Sequence, residues 1–230
     1  MSIITIIPAR GGSKGLPGKN IRNLADLPLI AHSIMSAKEA KIVDKVYVST
    51  DDREIAEIAR DYGAEIIDRP KELADDTASS ESALIHAVEQ IESDGVDIDL
   101  VVFLQCTSPI RTAEDIDNAL KKVTTENADS LLSVSPSHRF LWEEVDDEAQ
   151  SINYDYRRRS RRQDMQPQYV ENGSIYIFKP WVLKELNNRL GGKISLFEMN
   201  EAASWEIDSL FDFEVAEFLL KKQEQVNAYR

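Results

Sequence analysis

The sequence predicts an α/β fold, with a mainly parallel sheet carrying helices on both faces. Three observations point to it. Short β-branched runs alternate with amphipathic helical patterns about every 20–30 residues, the signature of βαβ units. The 230-residue length suits one large domain with an excursion. Apolar residues make up 42% and charged residues 30%, the balance of a folded globular chain.

Each element follows from local pattern. Ser2 to Ile7 is a β-branched run stopped by Pro8, a buried first strand leading into a loop rich in Gly, Pro, Lys and Asn. Pro28 to Ala40 reads as a helix, Lys45 to Ser49 as a strand, and Asp52 to Tyr62 as a helix with Ile55, Ile58, Ala59 and Tyr62 on one face. Ala64 to Ile67 is the third strand. A helix starting near Ser79-Ser80-Glu81 carries Ala83, Leu84, Ala87, Val88 and Ile91 inward, and the strand Asp99 to Leu104 follows. After a capped helix from Thr112 comes the strand Asp129 to Val134. Alternation fails between 136 and 168, where Trp142, an acidic stretch and the basic run Arg157 to Arg162 form an inserted excursion. It resumes with the strand Gly173 to Phe178, a helix near Trp181 to Asn188, a strand Ile194 to Met199 and a last helix from Asp212 to Val226. The whole is a Rossmann-like three-layer sandwich. In such sheets ligands bind beyond the C-terminal strand ends, so the loops starting at Pro8, Thr50, Asp68 and Gln105 should share one rim.

Charge and composition exclude several classes. A net charge of −14 opposes general nucleic-acid binding, which needs a spread of Lys and Arg, yet allows an anionic small substrate if cations gather in one cleft. The run Arg157 to Arg162 is therefore read as a solvated or subunit-facing surface, except for Arg162, which reaches toward an anionic ligand. No apolar run approaches the ~20 residues of a membrane span, and the expected setting is cytoplasmic, without membrane partners. Cys106 is the only cysteine, so no intrachain disulfide forms, and it reads as a small buried hydrophobe. His32, His86 and His138 lack metal-ligand spacing.

The segment Ile6 to Asn20 (IIPARGGSKGLPGKN) places Gly11, Gly12, Gly15 and Gly18 and the cations Arg10, Lys14 and Lys19 just after the first strand, with Arg22 nearby. Glycines let backbone N–H groups approach phosphate oxygens, and the cations balance charge. This is a polyphosphate loop. A Walker A loop requires four residues between its first Gly and Gly-Lys, then Ser or Thr, whereas five separate Gly12 from Gly18 and Asn20 follows Lys19. The glycines also miss the G-x-G-x-x-G register of dinucleotide folds.

This loop resembles that of the acylneuraminate cytidylyltransferases, or CMP-sialic acid synthetases. Further blocks are similar in the same order: Asp68 to Ser80 (DRPKELADDTASS), Leu104 to Thr112 (LQCTSPIRT), Arg161 to Asp164 (RRQD), Tyr169 to Tyr176 (YVENGSIY) and Glu206 to Phe213 (EIDSLFDF). The match spans nearly the whole chain. It implies a nucleotide-diphospho-sugar transferase-like domain over 1–230, with 136–168 as an inserted dimerisation segment. It also implies CTP and a nonulosonic acid as substrates.

By the same resemblance, Arg10 and Lys19 contact the triphosphate with Gly11, Gly12 and Lys14 around it and Asn20 nearby, and Arg69 and Ser80 hold the nucleotide. Cations there stabilise the pyrophosphate charge that grows as the α-phosphorus is attacked. Gln105, Arg162, Tyr169 and Asn172 are implied on the sugar side, where an amide, a phenol and a guanidinium suit hydroxyls, an amide and a carboxylate. Plainer roles stand beside these: a surface ion pair for Arg69, a helix cap for Ser80, core for Tyr169 and a turn for Asn172-Gly173. For Mg²⁺, with Mn²⁺ as a substitute, the candidate ligands are Asp208 and Glu206, whose side chains point one way in an extended segment. The family commonly has Asp at the position of Glu206, which makes Asp208 the surer ligand. Asp212 also reads as part of a cap opening the last helix. The implied reaction joins CMP to the sugar's anomeric hydroxyl directly, without a covalent enzyme intermediate. A cytidylyltransferase for another sugar acid, and a non-catalytic nucleotide-binding protein, are the alternatives.

Overall fold

The computed structural model describes residues 1–12 and 15–228, apart from the side chains of Arg162 and of residues 223–228. In chain order the strands and helices are β1 (Ile3–Pro8), β2 (Asn23–Leu24), β3 (Leu27–Pro28), α1 (Leu29–Glu39), β4 (Lys45–Thr50), α2 (Arg53–Asp61), β5 (Glu65–Asp68), α3 (Ser80–Ser93) and β6 (Leu100–Leu104). There follow α4 (Ala113–Glu126), β7 (Ser130–Ser137), β8 (Trp142–Val145), β9 (Glu148–Ser151), β10 (Gln168–Phe178), α5 (Pro180–Leu186), β11 (Ile194–Glu198) and α6 (Leu210–Ala228). Seven strands form one sheet in the order β11-β7-β10-β6-β1-β4-β5. Only β10 runs against its neighbours, antiparallel to both β6 and β7.

Alternation of side chains across the pleat produces two cores. Ile3 and Ile7 of β1, Val46 and Val48 of β4 and Leu100, Val102 and Leu104 of β6 pack against Ile30 and Ile34 of α1, Ile55 and Ala59 of α2 and Ile116 and Leu120 of α4. The residues between them, Ile4, Ile6, Tyr47, Val101 and Phe103, meet Leu84, Val88 and Ile91 of α3 and Val182 and Leu183 of α5 on the other face. The sheet is thus covered on both sides, as its near-continuous apolar strands require. A smaller cluster of Leu24, Leu29, Ile207, Phe213 and Ala216 docks the start of α6 beside β2. No described helix is long and apolar enough to cross a membrane.

Two boundaries differ from the sequence pattern. Strand β10 begins at Gln168, before Asn172-Gly173, because those residues form a bulge inside the strand and not a turn ahead of it: the register with β7 shifts between Glu171 and Tyr176, and Gly173 has φ 64°. The 136–168 excursion is partly regular, since β8 and β9 pair as a hairpin whose turn residues Asp146 and Asp147 have φ 52° and 63°. Asp tolerates this left-handed conformation, so an acidic stretch that reads as a break folds as a tight turn.

Candidate active site

A cavity of about 380 Å³ opens at the C-terminal ends of the parallel strands, lined by Pro8, Arg10 and Gly15 after β1, Arg69 after β5, Gln105 and Thr107 after β6, and Asp208 ahead of α6. Three of the four expected rim loops line it directly. The fourth, after β4, supports the first: Ser49 O accepts from Ala9 N at 2.9 Å, and Asp51 Oδ1 accepts from Gly11 N at 3.1 Å.

The cations of this cavity are held in place by the backbone. Arg10 Nη1 donates to Asp75 O at 2.8 Å and pairs with Asp76 Oδ1 at 3.2 Å. Asp75 is itself fixed, because its Oδ1 accepts from Thr77 N, Thr77 Oγ1 and Ala78 N at 2.7–2.9 Å. Those bonds, the Thr77 hydroxyl foremost, hold its carboxyl below the usual carboxylate range. Lys19 Nζ donates to Ile207 O at 2.8 Å and to Asp208 Oδ1 at 3.2 Å, joining the Gly-rich loop to the segment before α6. At Gly15 an added Cβ would stand 2.6 Å from Asp208 O, so only glycine permits this approach. Asn20, buried, donates from Nδ2 to Arg10 O at 3.1 Å and orients the loop from beneath.

Arg69 is buried at 8% exposure and is no surface ion pair. Its Nε donates to Ser49 Oγ at 3.1 Å and Nη2 to Ser49 O at 2.5 Å, and burial lowers its pKa. Ser80 also lines the cavity, and it is not the helix cap: Ser79 Oγ takes that part, accepting from Ser82 N at 3.1 Å. Cys106 lies in the lining as a buried thiol, pushed up to about 12 by desolvation, and is inert as a nucleophile.

A second cavity of about 510 Å³ adjoins the first through Gln105, which lines both. Its other walls include Glu171, Gly173 and Tyr176 of β10, Asn188 and Arg189 after α5, Glu81 of α3, and Glu206. The Tyr176 hydroxyl donates to Glu171 Oε1, and burial followed by that carboxylate pushes the phenol above its ordinary range. Gly173 matters here too: a Cβ on it would collide with the Gln105 amide.

Several expected positions land elsewhere. Gly11 and Gly12 do not line the cavity, because Asp51 takes the Gly11 N–H and turns the loop toward β4; Gly15 is the glycine at the wall. Asn172 is buried at 2% exposure with its amide spent inside the sheet, its Oδ1 accepting from Ser133 Oγ at 2.6 Å and Nδ2 donating to Ser135 Oγ at 3.2 Å, so it shapes the bulge and touches neither cavity. Tyr169 is neither core nor cavity wall. It is 41% exposed, in a separate groove with Pro136, His138 and Glu198. Glu206 accepts from Thr107 Oγ1 at 3.0 Å and faces the second cavity, whereas Asp208 faces the first, so the two carboxylates do not form a pair. Among the described residues no three His, Cys, Asp or Glu side chains converge as a metal cluster. Asp208, its side chain 74% exposed beside Lys19, still offers the single carboxylate that an ion shared with phosphate needs. Asp212 caps α6, accepting from Ser209 N at 2.8 Å and Ser209 Oγ at 2.7 Å while Ser209 Oγ accepts from Asp212 N at 3.2 Å. Lys14 lies outside the described residues. The backbone of Arg162 lies in a short 3₁₀ turn of the excursion, and its side chain is not described.

Sequence reasoning gave no role to Arg111. Its buried guanidinium donates to Ser174 Oγ (3.0 Å), Ser33 Oγ (2.8 Å), Gln105 O (2.5 Å) and Ser108 O (2.6 Å), fixing the loop that carries Gln105, and desolvation lowers its pKa to about 10. An arginine next to a capping threonine reads as surface. Its one signal was position in the Leu104 to Thr112 block.

Comparison with known proteins agrees with this geometry. The family profile described as "Cytidylyltransferase" matches residues 4–230. The chain is 36% identical to a post-translational flagellin modification protein B of Campylobacter coli, over 96% of each chain. It is 38% identical to N-acylneuraminate cytidylyltransferase B of Danio rerio and 34% identical to the N-acylneuraminate cytidylyltransferase of Escherichia coli O18:K1:H7, covering 92% and 96% of itself but 50% and 52% of those proteins. It therefore spans about half the length of these last relatives. Among solved structures, a CMP:2-keto-3-deoxy-manno-octonic acid synthetase complexed with CTP superimposes with a TM-score of 0.74 at 19% identity, over 97% of this chain and 100% of that one. A 4-diphosphocytidyl-2C-methyl-D-erythritol synthase from Anaerococcus prevotii does so at 0.67 and 13%, over 96% of each, and both confirm the fold. The chain belongs to the cytidylyltransferase family.

Proposed function

We propose that this chain transfers CMP from CTP to the anomeric hydroxyl of a nonulosonic, sialic-acid-like acid. The carrying observation is the pair of adjoining cavities that meet at Gln105, one walled by Arg10, Lys19 and Arg69, the other by polar groups of β10 and the segment after α5. CTP occupies the first and the sugar acid the second, which brings the α-phosphorus to the boundary. The anomeric oxygen attacks it, an O–P bond forms, the bond to the bridging oxygen breaks, and pyrophosphate leaves. The hydroxyl proton passes to solvent. Arg10 and Lys19 then face the charge that accumulates on the leaving group. Displacing their protein partners, Asp76 and Asp208, is the local rearrangement that phosphate binding demands.

Mg²⁺, or Mn²⁺ in its place, belongs to this reading, with Asp208 as its protein ligand. When bound it would neutralise phosphate charge and acidify the attacking hydroxyl. Glu206, tied to Thr107, stays on the sugar side. A homodimer is also part of the proposal, supported by the exposed aromatic surface of the excursion, where Trp142 is 48% and Tyr156 52% exposed. The reaction is placed in the cytoplasm, where CTP is consumed. Legionaminic or pseudaminic acid ranks ahead of N-acetylneuraminic acid, because the flagellin-modification relative matches over nearly its full length.

Pyrophosphate release tests the reading. Turnover is expected with CTP plus one of these three acids and not with ATP, GTP or UTP. Nucleotide binding without release for any acid would contradict it and favour a non-catalytic protein.

A further inference from the structure

The second cavity holds one cation among three carboxylates. Arg189 lies with its guanidinium 5.0 Å from the Phe103 ring centre and 4.9 Å from that of Tyr176, two rings stacked at 5.3 Å. Its Nε is spent on Glu81 Oε1 at 2.7 Å, in a pair only 18% and 17% exposed. Among the described residues the two terminal nitrogens make no hydrogen bond, so their N–H groups are available to a ligand in the cavity that Arg189 lines. Stacking and the ion pair lock the fork in one orientation. Beside it stand acceptors: Glu171, with one oxygen taken by Tyr176, and Glu206, with one taken by Thr107. A rigid donor next to free carboxylate oxygens complements a secondary amide, whose carbonyl accepts and whose N–H donates.

We infer that Arg189 is a specificity-determining residue that reads the acyl carbonyl of an N-acyl substituent on the sugar acid, with the neighbouring carboxylates taking the amide N–H. The chain then requires an amide-bearing acid and discriminates against one that carries only hydroxyls. This rests on assigning the second cavity to the sugar. A hydroxyl offers one oxygen for both contacts where an amide presents a separate acceptor and donor, and a donor left unpaired is what makes such sites selective.

The test is steady-state pyrophosphate release by the whole protein with CTP and either whichever of the three N-acyl acids it turns over best or the analogue of that acid with hydroxyl in place of acetamido. Wild type is expected to favour the amide in kcat/KM by on the order of 100-fold. Arg189→Leu, which keeps an apolar cover on the rings, is expected to raise KM for the amide acid by roughly tenfold or more, hold the CTP KM within about twofold, and bring the two acids near parity. Arg189→Lys keeps charge but not the fork, and serves if the leucine variant fails to fold; it too is expected to lose most of the preference. An unchanged amide-to-hydroxyl ratio in a folded variant with normal CTP KM overturns the role of Arg189 and leaves the proposed function standing. If wild type releases no pyrophosphate with any sugar acid, the functional reading fails, and this inference with it.

Discussion

The two cavities are built by different means. The first is made by loops leaving parallel strands, where Arg10 and Lys19 after β1 and Arg69 after β5 converge because these strands end at one rim. The second depends on β10, which alone runs antiparallel, and on a bulge that presents Glu171, Gly173 and Tyr176 to one side while Asn172 turns inward. Backbone carbonyls fix the cations of the first region, whereas partly buried side-chain pairs fix the second: Tyr176 with Glu171, Arg189 with Glu81. The first cavity thus follows from chain direction and glycine, while the second needs tertiary partners to exist.

Substitutions in each region separate these two modes. The largest effect is expected for Lys19→Ala, which removes a cation of the first cavity and the link to Ile207 O; kcat/KM for CTP should fall by about 10²–10³-fold with the fold intact, measured by pyrophosphate release and circular dichroism. Next is Arg111→Ala, which removes the donor from the Ser108 carbonyl and the Ser33 hydroxyl in the interior and leaves the Gln105 carbonyl only its bond from Ser108 N; unfolding free energy should drop by about 3 kcal/mol, read from urea titration. Asn172→Ala should cost about 2 kcal/mol by taking the acceptor from the Ser133 hydroxyl and the Ser174 N–H, and should affect the sugar through the bulge, raising its KM and not that of CTP. The smallest effect lies outside both cavities. Asp212→Asn should cost about 1 kcal/mol at pH 7 by weakening the α6 cap. The Asp212 carboxyl is held below its ordinary pKa, first by Ser209. The stability it supplies is therefore present above the unfolded-state carboxylate pKa and lost as pH falls through the lower folded value, and the variant should flatten that acid limb of a thermal-melt profile.

The order of strands and helices was legible because apolar period and capping residues such as Thr112 act locally, and all but the edges of those elements stand where the pattern puts them. Arg10, Lys19, Asn20, Arg69 and Ser80 were singled out by the resemblance of their motif blocks, and all five line the first cavity. What was not legible depends on contacts distant in sequence. Arg189 meets Glu81 across 108 positions and Arg111 meets Ser33 across 78, and no local pattern announces either. Tyr169 and Asn172 sat in a recognisable block, yet strand parity and the bulge at Gly173 decide which residues of that block face the second cavity, and those include Glu171 and Tyr176.

The division of labour between the cavities is tested most directly by two-substrate kinetics on Arg10→Ala and Tyr176→Phe. Arg10→Ala should raise the KM for CTP by about tenfold and leave that for the sugar acid within about twofold, and Tyr176→Phe should do the reverse. If both variants shift the KM of the same substrate, the assignment of one cavity to each is wrong.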